Sequence, residues 1–536
     1  MRAWIVVLLV IGLLVPCAAQ VEISGTPVMT ICQEASNSSW KVWNRRLGEN
    51  PYDPGNFAWG LSYALRAFVG LYNMTGNMMW VDRAVEWADY LVDYSDVNGD
   101  GEPAWGNYNS TWGRDAYEYV EFTVHDGVIS TPLLELAILI RQHDELSSDP
   151  ALASRSDRYI ALVKEVVDRH HTYWTDVTPE SGYYWDAPTL SDRMIVNRFA
   201  ALGISEIMLS DIIGDDEYLT NPRKMAKLIK DNLWYVPEND CYEWSYEIGE
   251  TRREDVSHGS IDLEFMIRAY RHGLHFNDSD MRRLVNTYQR QIWQSVRMFE
   301  TGIALAMRVD GEIDQEQDYT RLAKNWPMLC VFEPRIIEQH RFALGIYDRE
   351  GLPRDRVMAW TLYKILDLEE KLRESGIDVD SLSAFEEDEV MPLINDLEGV
   401  IAEAEDVGGN VTEYRDLLAE IRMELDSYMS SNVSGLVYLL NDASEAVGRV
   451  KAETLIGEAE SVVSRAKEMG IDTTRHELFL ERARISLEQG LFASVESMCS
   501  YPLSLREQIE ENFQMVVVFL LLTSGAAIAM GRGSCT

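Results

Sequence analysis

The strongest constraint on the fold is a unit that recurs along the chain: a helix end, a polar turn and a second helix with an apolar face. It is read in LYNMTGNMMWVDRAVEWADYLV, RQHDELSSDPALASRSDRYIALVKEVV, DIIGDDEYLTNPRKMAKLIKDNL and YRHGLHFNDSDMRRLVNTYQRQIW. One such hairpin cannot bury its apolar face alone, so neighbours must stack on it. Helical apolar spacing covers Phe57–Tyr72, Met79–Val92, Val128–Arg141, Tyr159–Tyr173, Met194–Ile213, Arg223–Trp234, Gly259–Arg271, Asp280–Trp293, Asp318–Phe332 and Arg354–Leu368. Gly, Pro, Asn and Asp separate these segments, and no convincing run of alternating strands interrupts them. Roughly a dozen helices of this kind close into a ring of hairpins around a central cleft, or stack into an open solenoid. The long aromatic connections Ser95–Tyr119, Thr175–Asp192 and Tyr235–Ser257 favour the ring. Long structured connections on a rigid scaffold are also where sites tend to sit.

The predicted fold class is therefore all-α: an (α/α)6 toroid over residues 20–374, a helical stalk or bundle over 375–512, and a single transmembrane helix over 513–530. The second region loses Trp and gains Ala, Glu, Leu and Ser at helical or heptad-like spacing, with breaks at Gly408-Gly409 and Gly470. Association of copies through this region is an expectation. Residues 1–19 have the order of a signal peptide: Arg2, the apolar run Trp4–Val15, Pro16, then Ala18-Ala19. Phe513–Met530 is almost wholly apolar and is followed by Arg532, as in a membrane span with a short cytoplasmic tail, 531–536. These ends predict an exported chain held to the outer face of the membrane by its C-terminal helix. Sequons at Asn37, Asn73, Asn109, Asn277, Asn410 and Asn432 agree with export. The formal net charge of −40 makes nucleic acid a poor partner. Cysteines are few and none is spaced for a metal, although one disulfide among Cys32, Cys241 and Cys330 is compatible with the pattern.

Candidate chemistry clusters in the first region. In DVNGDGEPAWG, Asp96, Asn98 and Asp100 match the first half of a calcium loop, but the twelfth position is Asn107, so an Asx-rich turn is favoured. In NPYDPGNFAWG, Trp59 enters a helix. In EYVEFTVHDGVIS, His125 and Asp126 stand where a strand-like run yields to a helix. Tyr184 and Trp185 offer flat faces of the kind sugar rings stack on. Asn197 and Arg198 need polar partners within an apolar helix. The last cluster is CYEWSYEIGETRREDVSHGSIDLEF. There Tyr242, Trp244 and Tyr246 alternate, Arg252 follows, and Glu254, Asp255, His258 and Asp262 crowd a helix start. His258 and Asp262, four apart, share a helical face, which predicts that Asp262 orients the imidazole.

At VHDGVISTPLLELA, NRFAALG and REDVSHGSIDLEF the chain resembles the six-hairpin carbohydrate-active enzymes. That group includes polysaccharide lyases, D-glucuronyl C5-epimerases and several glycoside hydrolases. The stalk-like region resembles those of archaeal surface proteins. The resemblance implies a polysaccharide or oligosaccharide substrate, and two chemistries compete. Abstraction of a uronate C5 proton, slightly favoured, would use His258, Tyr246 and His125, with Asn197, Arg198 and Arg252 against the substrate carboxylate. Hydrolysis would use paired carboxylates, Asp126 with Glu254 or Asp255. A non-catalytic glycan-binding surface protein is the third reading.

Overall fold

The computed structural model describes residues 22–23, 26–44, 54–107, 119–185, 193–293, 305–313, 322–347, 355–379, 382, 387–431, 433–510 and 514. It divides into two compact units, Met1–Ala384 and Phe385–Thr536.

Unit 1 is built from outer and inner helices in alternation. The outer helices are α1 (Val28–Asn44), α3 (Met78–Asp93), α5 (Pro150–His170), α7 (Thr220–Asp231), α9 (Asp278–Thr287) and α10 (Arg335–Tyr347). The inner positions are α2 (Pro54–Thr75), α4 (Thr123–Gln142), α6 (Val196–Ile213), α8 (Val256–Arg271), a short 3-10 segment (Trp326–Val331) and α11 (Arg356–Glu374). Each inner element packs on the next, and α11 returns to pack on α2, so the ring closes. This is the expected toroid of hairpins, and the open solenoid is ruled out by the α11–α2 contact. Inner helices touch helices on both sides, and their sequences show it. Helix α6, VNRFAALGISEIMLSDII, is buried almost all round, whereas outer α7 buries Met225, Ala226, Leu228 and Ile229 and exposes its charges.

Glycines let the inner helices approach closely. A Cβ on Gly127 of α4 would lie 2.2 Å from the Ala201 carbonyl carbon of α6, and one on Gly70 of α2 would lie 2.0 Å from the Tyr363 ring of α11.

Several boundaries differ from the periodicity. Helix α4 starts at Thr123 rather than Val128, so His125 and Asp126 lie in its first turn. The helix expected over Asp318–Phe332 is, among the described residues, a turn at Lys324-Asn325 followed by the 3-10 segment. Pro327 at its start has no amide proton for an i→i−4 bond. Helices α1 and α10 were not anticipated. Among the described residues four short antiparallel ladders also occur, including Trp174–Thr178 with Ser181–Tyr184 and Trp234–Val236 with Cys241–Glu243. They are too short for their alternation to stand out from a helical background.

Unit 2 is a helical bundle of α12 (Glu387–Asp406), α13 (Thr412–Ser431), α14 (Val433–Glu468), α15 (Thr474–Glu488) and α16 (Phe492–Leu503). Ala452, Ile456, Ala459, Val463 and Ala466 of α14 meet Leu480, Ala483, Val495 and Cys499 in its core.

The segment 1–19 lies outside the described residues, as does the run 513–530 apart from Gln514. Among the described residues one helix, Thr123–Gln142, is long and apolar enough to cross a membrane, and it is the buried inner helix α4. Cys32, Cys241, Cys330 and Cys499 are buried and free, so the disulfide allowed by the sequence is not formed among them.

Candidate active site at the mouth of the toroid

The first turns of α4, α6 and α8 open at one end of the ring. Several of their first-turn amides are already paired: Val196 donates to the Tyr246 carbonyl (3.1 Å) and Val256 to the Met307 carbonyl (2.8 Å).

The stretch Arg253–Asp255 is fixed before α8 begins. The Glu254 N–H donates to the Trp244 carbonyl (2.8 Å), and the Val309 N–H donates to the Glu254 carbonyl (3.1 Å). Asp255 is the N-cap of α8: its Oδ1 accepts from the Ser257 and His258 amides at 2.9 and 3.0 Å. Its Oδ2 lies 2.5 Å from His258 Nδ1. Asp255 therefore performs the orienting task that the i,i+4 spacing had given to Asp262. With Nδ1–H donated to Asp255, Nε2 is left with its lone pair. Burial pushes the Asp255 carboxyl up, but the His258 hydrogen bond and charge and the two backbone amides outweigh it and hold it below its ordinary value. His258 and Asp255 side chains are 33% and 26% exposed, enough to meet a substrate.

Behind them lies a second carboxyl pair. Glu254 and Asp262 are both fully buried. Glu254 Oε1 accepts from the Asp255 amide (2.9 Å) and Asp262 Oδ2 accepts from Trp244 Nε1 (2.9 Å). Among the described residues the remaining oxygens, Glu254 Oε2 and Asp262 Oδ1, have no donor partner. The two side chains are within hydrogen-bonding reach of each other, so ionisation of both at once is disfavoured. Burial, then the Asp262 charge, pushes Glu254 well up, and burial pushes Asp262 up.

Glu254, Asp255 and His258 also offer one metal-ligating atom each within 4.8 Å of one another. An ion held through His258 Nδ1 and Asp255 Oδ2 would have to displace the hydrogen bond between them, because two ligands of one ion sit farther apart than 2.5 Å.

From His258 a closed circuit of contacts runs around the mouth. The Tyr246 ring lies 5.4 Å from the imidazole, edge to face. Tyr246 is hydrogen-bonded by Arg198, whose guanidinium lies 5.5 Å from the Phe122 ring. Burial raises the Tyr246 phenol, with Arg198 opposing it. Phe122 packs on His125 (5.0 Å), and His125 packs on Trp59 (5.4 Å). Trp59 Nε1 donates to the Tyr63 hydroxyl (2.7 Å). Lys324 lies over the Tyr63 ring (4.9 Å) and donates to the Ser257 carbonyl (3.4 Å), which returns the circuit to α8. Asn197, beside Arg198, is buried, and among the described residues its Nδ2 has no hydrogen-bond partner.

Below the mouth the axis is closed by ions. Arg66 of α2 meets Glu135 of α4 (2.7 Å) and Glu264 of α8 (2.8 Å) and stacks on Trp360 of α11 (3.9 Å). Asn325 Nδ2 donates to Glu264 (3.0 Å), and Trp360 Nε1 donates to Asn325 Oδ1 (3.2 Å). Burial alone would push Glu264 up, but Arg66 and Arg268 hold it well below the usual carboxylate range. A cavity of about 20 Å³ remains above this plug, lined by Tyr63, Arg66, Thr131, Ile261, Lys324 and Asn325 among others.

The structure thus brings His258, Tyr246, Glu254, Asp255, Asp262, His125, Arg198 and Trp59 to one end of the ring, with Trp244 supporting Asp262. Other candidates stand elsewhere. Asp126 is fully buried and holds a loop, accepting from the Trp105 amide (2.7 Å) and contacting His170 Nε2 (2.6 Å). The Tyr184 hydroxyl donates to buried Glu206 (2.7 Å). Trp185 packs edge-on against Tyr173 (5.8 Å). Tyr242 donates to Asp280 (3.0 Å) and receives from Arg283 (2.8 Å). Arg252 is exposed. In the loop of Asp96, Asn98 and Asp100, the Asn98 amide donates to Asp100 Oδ2 (2.8 Å), and the Gly101 and Glu102 amides donate to Asp96 and Asp100 (3.1 and 2.8 Å). Those are the bonds of an Asx-rich turn. Tyr63, Lys324 and the Arg66 plug were not anticipated. An Arg inside ALRAFVGLY was the legible signal for the plug, since a charge within an apolar helix requires partners.

No protein-family model matches the chain, and no curated protein does. Several solved structures are similar in fold. The GH76A alpha-1,6-mannanase of Salegentibacter sp. HEL1_6 aligns at 12% identity over 64% of this chain and 99% of its own, with a TM-score of 0.41. An inactive variant of that mannanase, in complex with alpha-1,6-mannotriose, aligns at 12% identity over the same shares with a TM-score of 0.40. A sugar epimerase from a ruminal bacterium aligns at 12% identity over 58% of this chain and 87% of its own, with a TM-score of 0.38. Likenesses this distant assign no chemistry.

Proposed function

We propose that the chain is a carbohydrate-active enzyme whose toroid removes the C5 proton of a uronate residue in a polysaccharide or oligosaccharide, as a lyase or an epimerase. The observation that carries this reading is the relay Asp255–His258–Tyr246–Arg198 at the mouth, hydrogen-bonded at its two ends and joined between His258 and Tyr246 by ring packing. Asp255 fixes the Nδ1–H tautomer, so His258 Nε2 is the base, and the carboxylate stabilises the imidazolium that forms. Tyr246 is the facing proton donor. Arg198, with the partnerless amide of Asn197, stabilises charge that develops on the substrate carboxylate as the C5 proton leaves.

The carboxylates argue in the same direction. Hydrolysis needs two carboxyl groups about 5–10 Å apart across the scissile bond. Among the described residues at the mouth, Asp255 is committed to His258, Glu254 and Asp262 lie fully buried against each other, and Asp126 is committed to His170 and Trp105. None forms a free pair facing the opening.

The test is His258→Ala against a panel of uronate-containing polysaccharides. Turnover is expected to fall by about 10²–10⁴, the usual contribution of general acid–base catalysis, with glycan binding retained. Undiminished turnover in His258→Ala would remove the relay from the mechanism.

A further inference from the structure

Lys324 is 4% exposed, yet among the described residues no carboxylate stands within ion-pair distance of it. Its contacts are a long hydrogen bond to the Ser257 carbonyl (3.4 Å) and the face of Tyr63 (4.9 Å). An ammonium with three donors seldom stays buried on such terms. The other polar groups lining the axial cavity are spoken for. The Ser62 and Thr131 hydroxyls donate to carbonyls of their own helices, at 2.9 and 3.0 Å. Asn325 Nδ2 donates to the Ser260 carbonyl and Glu264 (3.1 and 3.0 Å). Arg66 is forked onto Glu135 and Glu264, and the Glu264 carboxylate, which also lines the cavity, is met by Arg66, Arg268 and Asn325. Tyr63 receives the Trp59 N–H at its oxygen, which leaves its own O–H to donate elsewhere. Two donors therefore remain for the cavity, the Lys324 ammonium and the Tyr63 hydroxyl.

We infer that Lys324 and Tyr63 form a seat for the carboxylate of an acidic sugar, at the point where the mouth passes into the axial cavity. The cavity, about 20 Å³, accepts an atom the size of one carboxylate oxygen or one water, not a sugar ring. The ring therefore stays in the mouth, beside His258 and Tyr246, with one carboxylate oxygen directed down the axis to Lys324 and Tyr63 and the other left in the mouth for Arg198 and Asn197. Lys324 follows Ser257 through its hydrogen bond, so the seat is anchored to the helix that carries His258. This inference rests on the uronate reading and deepens it: the seat selects acidic over neutral sugars.

The experiment is calorimetric titration of the full chain with D-glucuronate, its neutral methyl ester and acetate. The wild type is expected to bind the acid at least tenfold more tightly than the ester or acetate. Lys324→Met is expected to erase that preference while leaving the affinity for the ester and the melting temperature intact, because Met fills the stem without a buried charge. Tyr63→Phe is expected to reduce the preference. His258→Asn is expected to keep it while losing any turnover, so the seat and the chemistry fail separately. Absence of a preference in the wild type overturns the inference. So does acetate binding as tightly as glucuronate, or a preference that survives Lys324→Met. A fall in melting temperature with equal loss of acid and ester would assign Lys324 to packing and also overturn it.

Discussion

Asp255 does two tasks with two oxygens. One caps α8 and the other orients His258. Asn caps as well as Asp but cannot carry the imidazolium charge. Asp255→Asn should therefore lower turnover by about a hundredfold or more while stability, followed by urea denaturation, changes by less than about 1 kcal/mol. Equal losses of stability and activity would mean the cap is all that Asp255 supplies. The buried Glu254–Asp262 pair predicts a pH effect whose sign follows from its raised values. Asp262 is pushed up to about 8 by burial, against about 4 for an unfolded carboxyl. The folded state then holds the extra proton, so this contribution is full below about pH 4 and is lost as pH rises toward 8. Asp262→Asn should make the decline of stability between these limits shallower, though not flat, because Glu254 stays buried. A slope identical to the wild type would show that Asp262 does not titrate there. Most of these residues were legible as an ionisable crowd at a helix start. The partner choice was not, because the i,i+4 rule describes side chains along a formed helix, whereas Asp255 sits at the cap and reaches back over the first turn.

At the scale of elements, the ring depends on close contact between inner helices. Gly127 sits where α4 meets the backbone of α6, and an added methyl there meets main chain rather than a flexible side chain. Gly127→Ala should destabilise unit 1 by about 1–3 kcal/mol, as overpacking does, measured by thermal or denaturant unfolding. An unchanged midpoint would mean the two helices separate freely. Helix existence was legible from apolar periodicity in α2 to α9 and α11. Helix starts were less so: α4 begins at Thr123, before its periodic run, because Asp126 and His125 are buried against a loop and a neighbouring ring that no local pattern reveals. The turn at Lys324-Asn325 was hidden inside an apolar stretch that scans as helix. Yet that turn sends Lys324 and Asn325 to the axis, where they matter most.

For the whole molecule, closing six hairpins leaves an axis that must be filled, and here it is filled by charge. Arg66 joins α2, α4, α8 and α11 through Glu135, Glu264 and Trp360. Arg66→Met should destabilise unit 1 by about 3–5 kcal/mol, because it strands two carboxylates in the interior. A neutral outcome would show that the plug is replaceable by packing. The closed ring could be anticipated from the repeat and the aromatic connections, whereas the plug and the mouth circuit depend on long-range contacts that no single segment encodes. The central claim, uronate proton abstraction at that mouth, is tested most directly by incubating the full chain with uronate-containing polysaccharides in deuterated water and following C5 by NMR. The account predicts deuterium at C5, or an unsaturated uronate at a new chain end, and neither with His258→Ala. New reducing ends with C5 still fully protonated and no unsaturated product would contradict it.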